Sequence, residues 1–212
     1  MSVIKSELQI SRKELLEKEA LLKGNEQLGN RDYNNALKYF DEALEIDPNS
    51  IYAWGNKGLV LARLGMHDKA IMYFDKALEI DPNNPNDWFN KGFSLAELGK
   101  HNEAIDCYDK VLEIDPNRVY AWNGKSNALN GLGEYTEAIK FYDKALEIDP
   151  NNALVLGNKA WTLDKSGRHN EAKKLKVIKK ESSSIGDDKR KIMANVLEIM
   201  VNVLVQIISN YE

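Results

Sequence analysis

A single cysteine, Cys107, leaves the chain unable to build an internal disulfide framework or a cysteine-based zinc site, and it fits a reducing compartment. Excess positive charge is missing as well. Against 29 Lys and Arg stand 33 Asp and Glu, a formal net charge of -4, so the basic footprint that a phosphate backbone requires is absent and nucleic acid is not an expected partner. The longest apolar stretch, Ile192 to Ile208, is interrupted by Asn195, Glu198, Asn202 and Gln206, so no membrane-spanning segment is expected. The opening residues MSVIKSELQISRKE hold no apolar core of a secretory signal, and a cytoplasmic location is the expectation. With 43% hydrophobic and 29% charged residues among 212, there is ample material for a packed core and too much for disorder.

A repeat organises that material. ALEIDPN occurs at Ala43, Ala77 and Ala145, and VLEIDPN at Val111, each 34 residues from the next. The windows are 17–50, 51–84, 85–118, 119–152 and a degenerate fifth, 153–182. Within each window, apolar and small residues recur at spacings of three and four on both sides of a glycine turn, which predicts two helices per unit. Gly65, Gly99, Gly133 and Gly167 stand where the first helix must end in a left-handed residue. The second helix stops at Asp47-Pro48, Asp81-Pro82, Asp115-Pro116 and Asp149-Pro150, because proline disfavours helical geometry in the residue before it. Pro85 suits the first turn of the helix that follows. Small residues recur in the first helix (Gly24, Gly58, Gly92, Ser126, Ala160) and in the second (Ala36, Ala70, Ala104, Ala138, Ala172), allowing close approach beside Phe40, Phe74, Tyr108 and Tyr142. No helix pair can bury its apolar faces alone, so neighbouring units must stack.

Trp54, Gly58, Ala70, Phe74 and Pro82 sit at the spacing of the tetratricopeptide repeat, which residues 17–182 resemble. The resemblance implies an all-α protein: a right-handed α-solenoid of five tandem helix-turn-helix repeats, with a groove lined by the first helices that binds peptides or proteins. An N-terminal helical extension (1–16) precedes the repeats and a C-terminal capping helix (183–212) follows them. Departures are visible. Lys23, Lys57, Lys91, Lys125 and Lys159 occupy the seventh position, where the family places Leu; the first unit lacks the Trp and places Gly29 early; the fifth has Lys176 and Lys179 where an aromatic and Ala are expected.

Carried onto this chain, the family's groove positions are Asn25; Tyr52, Asn56, Leu59 and Arg63; Phe89, Asn90 and Phe93; Tyr120, Asn123 and Asn127; Asn158 and Trp161. A row of asparagines offers donors and acceptors to the backbone of an extended peptide, although asparagine at the sixth position also serves packing. The carboxylate clamp by which some members hold the tails of heat-shock chaperones is disfavoured, because Leu21, Asn86 and Asn90 stand at its basic positions.

His67, His101 and His169 all fall at the seventeenth position, which holds Tyr33 and Tyr135 elsewhere, so each replaces an aromatic one repeat from the next, too far apart to share one metal ion. Cys107 stands where Tyr39, Tyr73 and Phe141 occur and reads as a packed thiol. No nucleophile beside a base and no phosphate-binding glycine loop is apparent, so neither catalysis nor a cofactor is expected. The seventh-position lysines need either water or an anion. Asp41, Asp75, Asp109 and Asp143, at the twenty-fifth position, would pair with Lys57, Lys91, Lys125 and Lys159 of the following repeat, leaving Lys23 at the free end; snorkelling to water is the alternative. The run KKLKVIKK, Lys173 to Lys180, reads as a solvated helix face, with Ala172, Leu175 and Ile178 turned inward, and a surface for an anionic partner is the weaker alternative.

At the ends of the chain, Ser11 and Glu14 form a capping box that predicts a helix starting near Ser11. A helix from about Asp187 to Ser209 confines its polar residues to one narrow stripe. Ile192, Val196, Leu197, Met200, Val203, Leu204, Ile207 and Ile208 spread over more surface than capping a repeat consumes. A homodimer through this helix is the expectation, with occupation of the chain's own groove as the alternative. Two functions are consistent with these features: a scaffold that binds an extended segment of another protein, and a structural protein assembling through its own copies.

Overall fold

A computed structural model describes the backbone of residues 2–180 and the side chains of residues 12–180. Nine helices run α1 (Ser2–Gly29), α2 (Tyr33–Ile46), α3 (Ile51–Arg63), α4 (His67–Ile80), α5 (Pro85–Glu97), α6 (His101–Ile114), α7 (Val119–Gly131), α8 (Tyr135–Ile148) and α9 (Ala153–Lys165). Residues 169–180 are helical as well, and no strand occurs among the described residues. Two compact units divide the chain, one ending at Glu134 and one beginning at Tyr135. In the first, α1 packs on α2, α3 on α4 and α5 on α6, and the first helices α1, α3, α5 and α7 lie in a row, each touching the next. In the second, α8 packs on α9, and a core of Ile139, Ala160 and Leu163 takes in Ala172 of the helical residues 169–180.

Local chemistry places several of these boundaries, although α4, α6 and α7 start without a side-chain cap. The Asp32, Ser50, Asn84 and Asn152 side chains accept backbone N–H bonds at the starts of α2, α3, α5 and α9, and Pro85 occupies the first turn of α5. Gly65, Gly99, Gly133 and Gly167 all adopt left-handed backbone, with φ of 74°, 74°, 78° and 82°. In the first repeat the equivalent residue is Arg31, at φ 61°; Gly29, two residues earlier, still belongs to α1. Three of the four repeat boundaries are also pinned by tryptophan. The indole N–H groups of Trp54, Trp88 and Trp122 donate to the carbonyls of Pro48, Pro82 and Pro116 at 2.9, 2.8 and 2.8 Å.

Packing explains the small residues. A Cβ at Gly24 would lie 2.5 Å from the Phe40 ring and one at Gly58 2.6 Å from the Phe74 ring, so both glycines are required by close approach. Two expectations need correction. The helix does not start near Ser11: α1 is continuous from Ser2, because residues 3–10 hold neither proline nor glycine to interrupt it, and a serine inside a helix is not a cap. Ile178 is exposed rather than turned inward, since the packed face of residues 169–180 is carried by Ala172 and Leu175. The apolar C-terminal segment, with Ile192, Val196, Leu197, Met200, Val203, Leu204, Ile207 and Ile208, lies outside the described residues.

Candidate functional site

The row of first helices presents the residues carried over from the groove pattern. Tyr52 on α3, Phe93 on α5 and Tyr120 on α7 are 71%, 45% and 58% exposed, the opposite of what burial would dictate for aromatics with a core to enter. Asn56 and Asn90 stand beside them, half-buried, and Asn127 is exposed. Asn56 donates from Nδ2 to Oδ1 of Asn25 at 2.9 Å, tying α3 to α1 and leaving its own carbonyl oxygen available. Asn123 is buried and already engaged, so it offers a partner nothing in this state. Asn158 and Trp161 belong to α9 in the second unit, where Trp161 is half exposed and Lys165 sits over its ring, 5.3 Å from the centroid.

Behind this face runs the lysine ladder. Lys57 pairs with Asp41, Lys91 with Asp75 at 2.6 Å, Lys125 with Asp109 at 2.5 Å, and Lys159 with Asp143. Every lysine reaches back one repeat, as the residue count predicts, while Lys23 at the free end turns to Glu19 on its own helix at 2.8 Å. Two lysines are also placed over aromatic faces: Lys57 Nζ lies 4.7 Å from the Tyr73 centroid and Lys91 Nζ 5.3 Å from that of Trp88. These cations are committed to holding repeats together.

Two of the three histidines take the aromatic role read from their position. His67 meets Phe93 edge to face with centroids 6.1 Å apart, and the His101 ring packs on Gly131. His169 contacts the Asp164 carboxylate at 3.2 Å. Cys107 is buried, and burial pushes its thiol up to about 11, which makes it unreactive near neutral pH.

Two adjoining cavities open between α3 and α5. The first, about 300 Å³, is bounded by Tyr52, Gly55 and Asn56 of α3 and by Asn86, Asp87 and Asn90 of α5. The second, about 380 Å³, is bounded by Arg63 and Phe93 and shares Leu59, Phe89 and Asn90 with the first. Asp87 was absent from the carried-over groove residues. It is 5% exposed, and its carboxylate has no hydrogen-bond or ionic partner among the described residues. It rests against the neighbouring helix so closely that a Cβ at Gly55 would come within 2.5 Å of Oδ1. Burial, helped by the charge of Asp81, raises its pKa to about 6. A signal for it was present in the sequence: the third position holds Ala53, Ala121 and Val155 in three other repeats, while the acid of the first repeat, Glu19, stays in solvent and pairs with Lys23.

The tetratricopeptide-repeat profile matches residues 51–84, 85–118 and 119–152, and two further profiles of the same repeat match residues 21–50 and 141–174. No curated protein matches the chain. Among solved structures, MamA 41-end from Desulfovibrio magneticus RS-1 superposes with a TM-score of 0.74 at 22% identity, over 81% of this chain and 97% of that one. Another MamA structure gives 0.70 at 18% identity, over 80% and 92%. YrrB, described as a TPR protein with an unusual peptide-binding site, gives 0.63 at 22% identity, over 77% and 84%. At these identities the likeness is one of fold, and it agrees with helix pairs, capped and turned at the same places, repeated along the sequence. The chain belongs to the tetratricopeptide-repeat family.

Proposed function

We propose that this protein is a non-enzymatic interaction scaffold that holds an extended segment of another protein along the face formed by α1, α3, α5 and α7. The observation that carries this reading is the exposure of Tyr52, Phe93 and Tyr120 on successive first helices, interleaved with Asn56, Asn90 and Asn127. Aromatics left in water beside amides supply apolar anchors and backbone-pairing groups without demanding particular side chains. The family to which the chain belongs is one of protein-binding repeats, which supports the same reading. None of the described helices is long and apolar enough to cross a membrane.

The test compares proteins captured by the full chain with those captured by a variant carrying Asn56→Ala, Asn90→Ala and Phe93→Ala. All three positions are at least partly exposed, so folding should survive, and a far-ultraviolet dichroism spectrum checks that it does. Loss of specific partners is the expected result. Identical partners at identical affinities would remove this face from the function.

A further inference from the structure

We infer that the cavity between α3 and α5 receives one basic side chain, lysine or arginine, of the bound segment, with Asp87 as the anion that meets it. This rests on the reading that the face binds an extended peptide, and it adds the chemistry of one residue of that peptide.

Electrostatics supplies the argument. A carboxylate removed from water is costly unless a cation or several donors replace the water, and native proteins keep such groups paired. Asp87 keeps 5% of its surface exposed, on the cavity wall, and has neither among the described residues, while every lysine of the neighbouring ladder has its anion. No cationic residue lines the cavity. Arg118, which reaches Asn86 on the rim, is already committed, donating to Asn86 Oδ1 at 3.1 and 3.0 Å and to Asp115 at 3.3 Å. Asp81 adds a second negative charge to the surroundings. Beside the carboxylate, Asn56 spends an N–H on Asn25 and keeps its carbonyl oxygen, and the Asn90 amide lies on the opposite wall. An ammonium or guanidinium group carries three to five donors and no acceptor, which complements the Asp87 carboxylate and the Asn56 oxygen. The adjoining cavity, with Leu59, Phe89 and Phe93, suits an apolar neighbour of the basic residue, and Arg63 at its edge disfavours a second cation there.

The position of Asp87 in the third turn residue of α5 offers a structural alternative, since a carboxylate there interacts favourably with the helix N-terminus. That interaction does not require the side chain to be buried, nor the neighbouring helix to carry a glycine that accommodates it. Burial and the charge of Asp81 raise the Asp87 carboxyl to about 6, and a cation bound beside it should bring it down and release a proton.

The experiment uses the full chain and a degenerate library of acetylated, amidated nonapeptides. Peptides retained by the immobilised protein are sequenced, and the best is resynthesised with its basic residue replaced by glutamine. Enrichment of Lys or Arg at one position is expected, with affinity at pH 7.5 falling at least tenfold on that replacement, as for loss of a hydrogen bond to a charged group. The Asp87→Asn protein should bind the basic and glutamine peptides alike. Calorimetry at pH 6 in buffers of different ionisation enthalpy should show proton release by the wild type and none by Asp87→Asn. Retention of peptides without basic enrichment, or enrichment that persists in Asp87→Asn, would overturn this inference and leave the groove reading standing. Retention of no peptide by the wild type would overturn both.

Discussion

Replacing Asp87 should stabilise the protein, in a pH-dependent way that follows from its isolation. The perturbation is Asp87→Ala, which restores the residue that Ala53 and Ala121 supply at the same position of neighbouring repeats, with Asp87→Asn as the isosteric control. The carboxyl has a pKa of about 6 in the folded chain against 3.8 for the free group. Between those values the folded state holds a proton that the unfolded state has released, so stability falls as pH rises from about 4 to about 6 and is flat in this respect above that. A difference of roughly two pKa units corresponds to about 3 kcal/mol at 1.36 kcal/mol per unit, an upper figure because a buried site relaxes and admits water. At pH 8 either variant should therefore gain between about 1 and 3 kcal/mol, while at pH 4, where the wild-type carboxyl is neutral in the fold, the gain should disappear. Urea unfolding of the three proteins at unit intervals from pH 4 to pH 8 measures it, using midpoints because repeat arrays need not unfold in one step. A gain independent of pH, or destabilisation at pH 8, would refute the claim that Asp87 is buried without a partner. The variant that gains stability is also the one expected to lose discrimination for a basic residue, as when a binding site keeps an unfavourable group for its ligand.

Arg31 holds a left-handed backbone that Gly65, Gly99, Gly133 and Gly167 hold elsewhere, so Arg31→Gly should raise stability by about 1 kcal/mol, read as a shift in thermal midpoint; no shift would mean that the turn relaxes without strain. In the lysine ladder, Asp41→Ala strands a lysine that is 8% exposed and should cost about 1 to 2 kcal/mol, discounted from a fully buried pair because Asp41 itself is largely in solvent. Lys57→Met fills the slot that Leu takes in the family and should cost less than Asp41→Ala or stabilise; equal losses in urea unfolding would argue against the asymmetry. Multi-angle light scattering on the full chain should report a dimer, and on a chain ending at Ile185 a monomer; a monomeric full chain would remove the proposed assembly through Ile192 to Ile208.

The period, the turn glycines and the proline stops were legible in the sequence, because each repeats and a repeated residue must satisfy the same local geometry every time. The match of four aspartates to four of five lysines left Lys23 over at the free end, but it did not separate pairing from snorkelling or foretell that Lys23 turns to Glu19 on its own helix. What was not legible depended on geometry that does not recur. Ser11 and Glu14 satisfy the capping-box spacing, but α1 runs through them, since local spacing cannot report whether the preceding residues also form helix. Asn123 shares its helix and residue type with Asn127, yet one is buried and the other exposed.

Lys57 and Asp87 make the same distinction in physical terms. Both put a charge in a slot that is otherwise apolar, in the family for Lys57 and in the neighbouring repeats for Asp87, and both side chains are nearly inaccessible to water, at 8% and 5% exposed. The lysine recurs, and its compensation recurs with it, as an aspartate one repeat back that any stack of such units will deliver. An acid returns at the position of Asp87 only as Glu19, which lies in solvent and pairs with Lys23 on its own helix, whereas Asp87 has no such cation among the described residues. In a protein whose stability is built from nearly identical neighbours, a charge that is compensated at every interface belongs to the stacking, whereas a buried charge compensated at none has to be tolerated by the fold or completed from outside it. The placement of Asp87 on the wall of an open cavity, across from Asn56 and against a glycine, makes completion from outside sterically available.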